Sequence, residues 1–124
     1  MKRILIVDDD VYLRELYSEL LISDTIHVDT AIDGQDGLTK ASQGGYDLIL
    51  LDVMMPKLDG LQVLTALKAS PPATANGPIY LLTNLAHEPV VEEALKHGAA
   101  GFLVKSDLTP QQFVEQAQQF LGRT

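Results

Sequence analysis

An open parallel α/β sheet, doubly wound with helices on both faces, is the fold class this sequence predicts, and three observations predict it. Five short apolar runs, Ile4–Val7, Ile26–Ala31, Leu48–Leu51, Ile79–Leu82 and Phe102–Val104, recur along the 124 residues. The segments between them place their apolar residues at helical spacing. Strand and helix therefore alternate from end to end, which is the pattern of right-handed βαβ crossovers.

Ile4-Leu5-Ile6-Val7 is aliphatic without a break, as expected of a strand covered on both faces. Asp8-Asp9-Asp10 stops it well short of the roughly 7–15 apolar residues of a secretory signal core. Leu13, Leu16, Tyr17, Leu20 and Leu21 then form one helical stripe, with Asp10 placed to cap it. The run Ile26–Ala31 mixes polar and apolar residues, which suits a strand at the sheet edge. A second helix is expected from Gln35 to Ser42, and Leu48–Leu51 is the central strand. Leu61, Val63, Leu64 and Leu67 mark a third helix; Asp59 can cap it, and Gly60 is expected to permit the turn after Pro56.

Ser70 to Gly77 is rich in Pro and Gly and reads as a surface connection within one domain. Val91, Ala94 and Leu95 support a fourth helix after the strand Ile79–Leu82. The last helix carries the clearest signals: Thr109 as N-cap, Pro110 at the first position and Gln112 closing a capping box. Phe113, Ala117, Phe120 and Leu121 form its inward face.

Composition narrows the function. The formal charge of −8 opposes a nucleic-acid or anionic-membrane surface, because both are polyanions. No apolar run approaches the roughly 18 residues of a bilayer span, so a cytoplasmic chain is expected. The absence of cysteine removes disulfides, thiolate metal sites and thiol nucleophiles together. His27, His87 and His97 sit on different elements and are expected in solvated positions.

In parallel sheets of this kind, ligands bind beyond the carboxyl ends of the strands. Asp8, Asp9 and Asp10 follow the first run, Asp52 the third, Thr83 the fourth and Lys105 the fifth. An acidic group, a hydroxyl and an ammonium thus arrive at one edge. Two carboxylates 4 Å apart repel by roughly 4 kcal/mol at an effective dielectric of 20, so Asp8, Asp9 and Asp52 call for a cation. Oxygen ligands favour Mg²⁺, or Mn²⁺, and Lys105 and Thr83 then suit a phosphoryl group on Asp52.

These residues carry a resemblance. Ile4-Leu5-Ile6-Val7-Asp8-Asp9-Asp10, Asp52-Val53-Met54-Met55-Pro56-Lys57-Leu58-Asp59-Gly60, Leu81-Leu82-Thr83 and Gly98-Ala99-Ala100-Gly101-Phe102-Leu103-Val104-Lys105 resemble the receiver domain of two-component response regulators. The resemblance covers essentially the whole chain, residues 1–124, as one domain. It implies a flavodoxin-like sheet of five strands in the order 2-1-3-4-5 with five helices. It also implies Asp52 as phosphoacceptor, with Asp9 and Asp52 as direct Mg²⁺ ligands and Asp8 acting mainly through a metal-bound water. The Met54 backbone carbonyl would be a further ligand, Thr83 and Lys105 would contact the phosphoryl group, and Phe102 would hold an aromatic switch position. For Phe102 an ordinary core aromatic is the alternative.

Partners follow from the same resemblance: a histidine kinase or phosphotransfer protein as donor, and a downstream protein or a separate output domain as target. The face formed by the fourth helix, fifth strand and fifth helix would switch, and a phosphorylation-dependent homodimer is compatible with this. Phe120 to Thr124 end the sequence just after the last helix, which favours a stand-alone regulator over an excised receiver.

Three positions depart from the family pattern. Ser106 follows Lys105 where the family usually has proline, so the loop to Thr109 is expected to be reshaped. Asn84 stands where a small residue is common and is expected to narrow access to Asp52. Phe102 lacks the hydroxyl a tyrosine would present. Among other functions, a haloacid-dehalogenase-type hydrolase would use Asp8 and Asp10, but it leaves Asp52 and its motif without a role. A flavin site needs a hydroxyl-rich loop where three aspartates stand. A pseudo-receiver, binding partners without phosphorylation, would not need Asp8, Asp9, Asp52, Thr83 and Lys105 together.

Overall fold

A computed structural model describes residues 1–84 and 88–122. His87 lies outside the described residues. Strands β1 (Lys2–Val7), β2 (Ile26–Ala31), β3 (Leu48–Asp52), β4 (Ile79–Thr83) and β5 (Gly101–Val104) alternate with α1 (Val11–Leu21), α2 (Gly34–Ala41), α3 (Gly60–Ala69), α4 (Glu88–Lys96) and α5 (Pro110–Gly122). The sheet is parallel throughout and ordered β2-β1-β3-β4-β5. That is the flavodoxin-like topology the resemblance implies, with the mixed strand β2 at an edge. Because β1 leads the chain into two directions of winding, the carboxyl ends of β1 and β3 lie side by side where the order reverses.

Alternate strand residues feed two cores, as the two-residue period of a strand requires. Leu5, Val7, Ile49, Leu51 and Leu81 pack with Ala41, Val63, Leu64, Leu67 and Ala94 from α2, α3 and α4. On the opposite face Ile4, Ile6, Leu48, Leu50 and Leu82 meet Tyr17 and Leu21 of α1 and Phe113, Ala117, Phe120 and Leu121 of α5. Tyr17 stacks on Phe113 with ring centroids 3.9 Å apart, joining the two helices over the sheet. Each fully buried aliphatic side chain contributes about 1.5–3 kcal/mol, so the unbroken runs anchor the strand ends that carry polar groups.

The caps form where the sequence places them. Asp10 Oδ1 accepts from the Leu13 amide at 3.2 Å, and Asp59 and Gln62 close a reciprocal capping box on α3. Thr109 and Gln112 do the same on α5, at 3.1 and 2.9 Å. Helix α2 begins one residue earlier than expected, because Asp33 caps it through the Asp36 amide at 2.8 Å.

Three expectations need correction. Leu20 and Leu95 belong to predicted inward stripes but are 36% and 41% exposed. The buried stripe of α1 is centred on Tyr17 and Leu21, leaving Leu20 to one side, and α4 buries Val91 and Ala94 instead. Gly60 does not provide the left-handed turn after Pro56. Lys57 adopts that conformation, at φ 67°, and Gly60 is needed because a Cβ there would sit 2.8 Å from the Asp52 carbonyl oxygen. Among the described residues no peptide bond is cis, and Lys105–Asp107 forms a single 3-10 turn leading to α5.

Candidate functional site

Four strand ends deliver the site. Asp8 extends the β1 ladder by one bond, its amide donating to the Ala31 carbonyl at 3.2 Å, and its side chain lines the cleft. Its Oδ1 accepts from the Asp10 amide at 3.0 Å, while its carbonyl accepts from Arg14 Nη1 at 2.8 Å. Asp10 in turn caps α1, so one hydrogen-bonded chain couples the acidic turn to the first helix. Asp52 ends β3 paired in register with Leu82, and the Val53 amide continues the ladder to the Leu82 carbonyl at 3.0 Å. Thr83 and Val104 are register partners at the ends of β4 and β5, which sets Lys105 beside Thr83.

The cleft has a volume of about 530 Å³ and is lined by Asp8, Asp9, Asp10, Asp52, Met54, Thr83, Asn84 and Lys105. Every candidate site residue read from the sequence lies here except Phe102. Asp8 is fully buried; Asp52, Thr83 and Lys105 are nearly so. Asp9 and Asn84 are exposed, as is Met54, forming the open side. Phe102 is 42% exposed on the edge strand β5 and belongs to neither core, which removes the ordinary-core alternative for it. His27 is exposed and His97 half-buried, and they stand on separate elements.

Electrostatics make the cleft a cation site in waiting. One oxygen each from Asp8, Asp9 and Asp52 lies within 4.8 Å of the others. Lys105 Nζ donates to Asp8 Oδ2 at 2.7 Å and stands 3.4 Å from Asp52 Oδ2. A single ammonium thus faces three carboxylates. Burial, together with the charge of Asp8 and a hydrogen bond to Asp9, pushes the Asp52 carboxyl up to about 7, against the opposing pull of Lys105. The Lys105 ammonium is held above its usual range; burial works against it, but its Asp8 and Asp52 partners prevail. The donor set is all oxygen, which fits Mg²⁺ or Mn²⁺ and not a softer metal.

Two features escape sequence reasoning. Arg14 lies on α1 among apolar stripe residues, and nothing in its spacing reveals that it grips the Asp8 carbonyl. Lys57 pairs with Asp33 at 3.3 Å, tying the loop after β3 to the start of α2. The left-handed Lys57 gives no sequence signal, since glycine or asparagine is the usual occupant of that conformation.

The fold and this cleft together define a class, and comparison with known proteins agrees. Residues 4–118 match the family model described as the response regulator receiver domain. The chain belongs to that family, the receivers of two-component signalling. It is 37% identical over 106 residues to the chemotaxis protein CheY of Treponema pallidum, covering 83% of this chain and 72% of that one. It is 38% identical over 105 residues to the transcriptional regulatory protein PcoR of Escherichia coli, covering 85% of this chain but 45% of that protein. With the gliding motility regulatory protein of Myxococcus xanthus the identity is 40%, over 86% of this chain and 14% of that protein. Among solved structures, CheY4 of Vibrio cholerae superimposes with a TM-score of 0.82 at 31% identity, covering 97% of this chain and 98% of that one. A CheY-like receiver from Methanospirillum hungatei JF-1 gives 0.85 at 27% identity, over 99% and 95%. Among the described residues no helix is long and apolar enough to cross a membrane.

Proposed function

We propose that this chain is a phosphoacceptor: Asp52 takes a phosphoryl group from a phosphohistidine donor. The observation that carries the reading is the convergence of Asp8, Asp9 and Asp52 within 4.8 Å beside a buried Lys105. Three carboxylates and one ammonium form a poor resting arrangement and a good receptacle for a cation and a transferring phosphoryl group. Asp8, Asp9, Asp52 and the Met54 carbonyl would hold Mg²⁺, or Mn²⁺, which neutralises charge on the phosphoryl oxygens when bound.

The residues of the chain do the rest. An Asp52 carboxylate oxygen attacks phosphorus as the phosphorus–nitrogen bond breaks, and the electron pair returns to the donor imidazole. Lys105, already 3.4 Å from Asp52, and Thr83 orient the phosphoryl oxygens. Water later attacks the same phosphorus and the phosphorus–oxygen bond to Asp52 breaks, restoring the carboxylate. Occupation of Asp52 biases Thr83 toward the phosphoryl group and Phe102, now 42% exposed, toward the interior. The face of α4, β5 and α5 then presents a second packing to a downstream protein or output domain, or to another copy. A cytoplasmic receiver domain over residues 1–124, working with a histidine kinase or phosphotransfer protein, follows from this reading.

Intact mass after incubation with acetyl phosphate tests it. One phosphoryl group is expected with Mg²⁺, none with EDTA and none in Asp52→Ala. No gain in the wild type, or a modification that survives Asp52→Ala, overturns the assignment and leaves the phosphorylation-independent pseudo-receiver.

A further inference from the structure

At the opposite end of β4 from Thr83, a groove of about 520 Å³ opens between α3, the 70–78 connection and the end of α4. That volume is in the range that accepts small organic ligands. Leu64 and Leu67 form its inner wall beside Ile79, and Leu95, 41% exposed, forms its outer lip. Pro71, Pro72 and Pro78 stiffen the connection that bounds it, so little ordering is required of the protein when something binds.

Two polar groups of the lining, at Asn76 and Gly77, are already engaged within the protein. The Asn76 side chain already accepts from the Tyr46 amide at 3.1 Å and donates to the Ala41 carbonyl at 2.9 Å. The Gly77 amide is likewise taken by the Tyr46 carbonyl at 2.6 Å. The charged side chains lining the groove are Lys68 and Lys96. Both stand in the last turns of their helices, where they offset the carbonyl ends. Lys96 shares Glu93 with His97, at 3.6 and 3.7 Å, whereas Lys68 has no ion-pair partner among the described residues. Among the described residues Lys68 thus stands as a cation without an ion pair at the rim of a largely apolar groove, on a chain of net charge −8.

We propose that this groove binds a small amphipathic carboxylate, with its hydrocarbon body against Leu64, Leu67 and Leu95 and its carboxylate at Lys68. The chemistry disfavours a cationic or strongly polar ligand, and the groove lies apart from the cleft that holds Asp52.

Decanoate is a suitable probe. Titrated into the full chain and followed by amide chemical shifts in ¹H–¹⁵N spectra, it is expected to saturate with a Kd of about 1 mM or below. The shifts should concentrate at Leu67, Gly77, Leu95 and Gly98. Decyltrimethylammonium and the Lys68→Ala variant with decanoate should each bind about 3–10-fold more weakly, as expected for an exposed ion pair. Leu95→Asp, an exposed substitution, should abolish saturation. Equal affinity of the two head groups, an unchanged Lys68→Ala variant, or scattered unsaturating shifts would overturn the proposal. So would shifts at Leu95 and Gly98 on diluting the protein alone, which would mean that a second copy covers the groove.

Discussion

Lys105 is held more closely by Asp8 than by the phosphoacceptor candidate: its ammonium is 2.7 Å from Asp8 Oδ2 and 3.4 Å from Asp52 Oδ2. The fully buried Asp8 therefore receives the short charge-assisted bond, and Asp52 keeps an incomplete share of Lys105, the one cation paired with it among the described residues. Burial, aided by the charge of Asp8, pushes the Asp52 carboxyl up to about 7, and Lys105 offsets this only in part. That leaves Asp52 as the side chain with most to gain from a new positive charge or a new covalent partner.

Without divalent metal, ionised Asp52 should destabilise the fold. A carboxyl with a folded pKa of about 7 and an unfolded value near 4 binds protons more tightly when folded. Its contribution is favourable at low pH and is lost as pH rises from about 4 through 7. In EDTA, Asp52→Asn is expected to be more stable than wild type at pH 8, by an amount of the order of 2 kcal/mol, and the gap should close toward pH 4. Urea unfolding across that range measures it; a gap independent of pH would contradict the charge argument. Mg²⁺ should stabilise wild type at pH 8 and affect Asp52→Asn much less.

Tyr46 gives the same linkage a different window. Its buried hydroxyl donates to Asp29 Oδ2 at 2.7 Å, while Arg3 lies 4.5 Å over its ring. Burial, with the Asp29 carboxylate, pushes the phenol up to about 12. A folded value above the usual 10 means the stabilisation is complete below pH 10 and is lost as pH rises toward 12. Tyr46→Phe should cost about 1–2 kcal/mol at pH 7, and the difference from wild type should shrink above pH 10. Ultraviolet titration should show a tyrosine ionising near 12 in wild type that is missing from the variant, while Tyr17, which burial also raises, ionises late in both.

Close approach at Gly60 can be tested separately. A Cβ there would meet the Asp52 carbonyl oxygen at 2.8 Å and Val53 Cα at 3.1 Å, both backbone atoms that cannot turn away. Gly60→Ala should destabilise the fold by about 1–3 kcal/mol although alanine is the better helix former. It should also slow phosphorylation from acetyl phosphate, because the strand end that carries Asp52 must shift. Thermal unfolding and the initial rate of mass gain give the two readouts, and a stabilised variant would refute the contact.

What the sequence made legible is what depends on periodicity and on strand ends. Ile4–Val7 and Leu48–Leu51 could only be strands buried on both faces, so Asp8 and Asp52 had to meet at one edge once the order was known. The caps at Asp10, Asp59 and Thr109 were legible for the same local reason. Choices among equally placed groups were not. Nothing in the sequence says that Lys105 prefers Asp8, that Arg14 reaches back to the Asp8 carbonyl, or that Lys57 takes a left-handed conformation to pair with Asp33. Leu95 illustrates the limit of periodicity: its spacing matches an inward stripe, yet the opening between α3 and α4 leaves it exposed.

Asn84 sets the last expectation, for the lifetime of the phosphorylated state. It lines the cleft directly after Thr83 and is exposed, with its carbonyl 3.4 Å from the Ser106 hydroxyl. That contact joins the β4 end to the 3-10 turn Lys105–Asp107 and keeps Asn84 at the open side of the cleft. Replacing it with alanine removes bulk from the open side without touching Asp8, Asp52 or Lys105. Asn84→Ala is therefore expected to release phosphate several-fold faster, of the order of 1 kcal/mol in the barrier, while the rate of phosphorylation by acetyl phosphate changes less. Single-turnover phosphate release from purified phosphoprotein measures it. Equal release rates would mean that water reaches Asp52 by another side, and Met54, 65% exposed on the opposite lip, becomes the residue to vary.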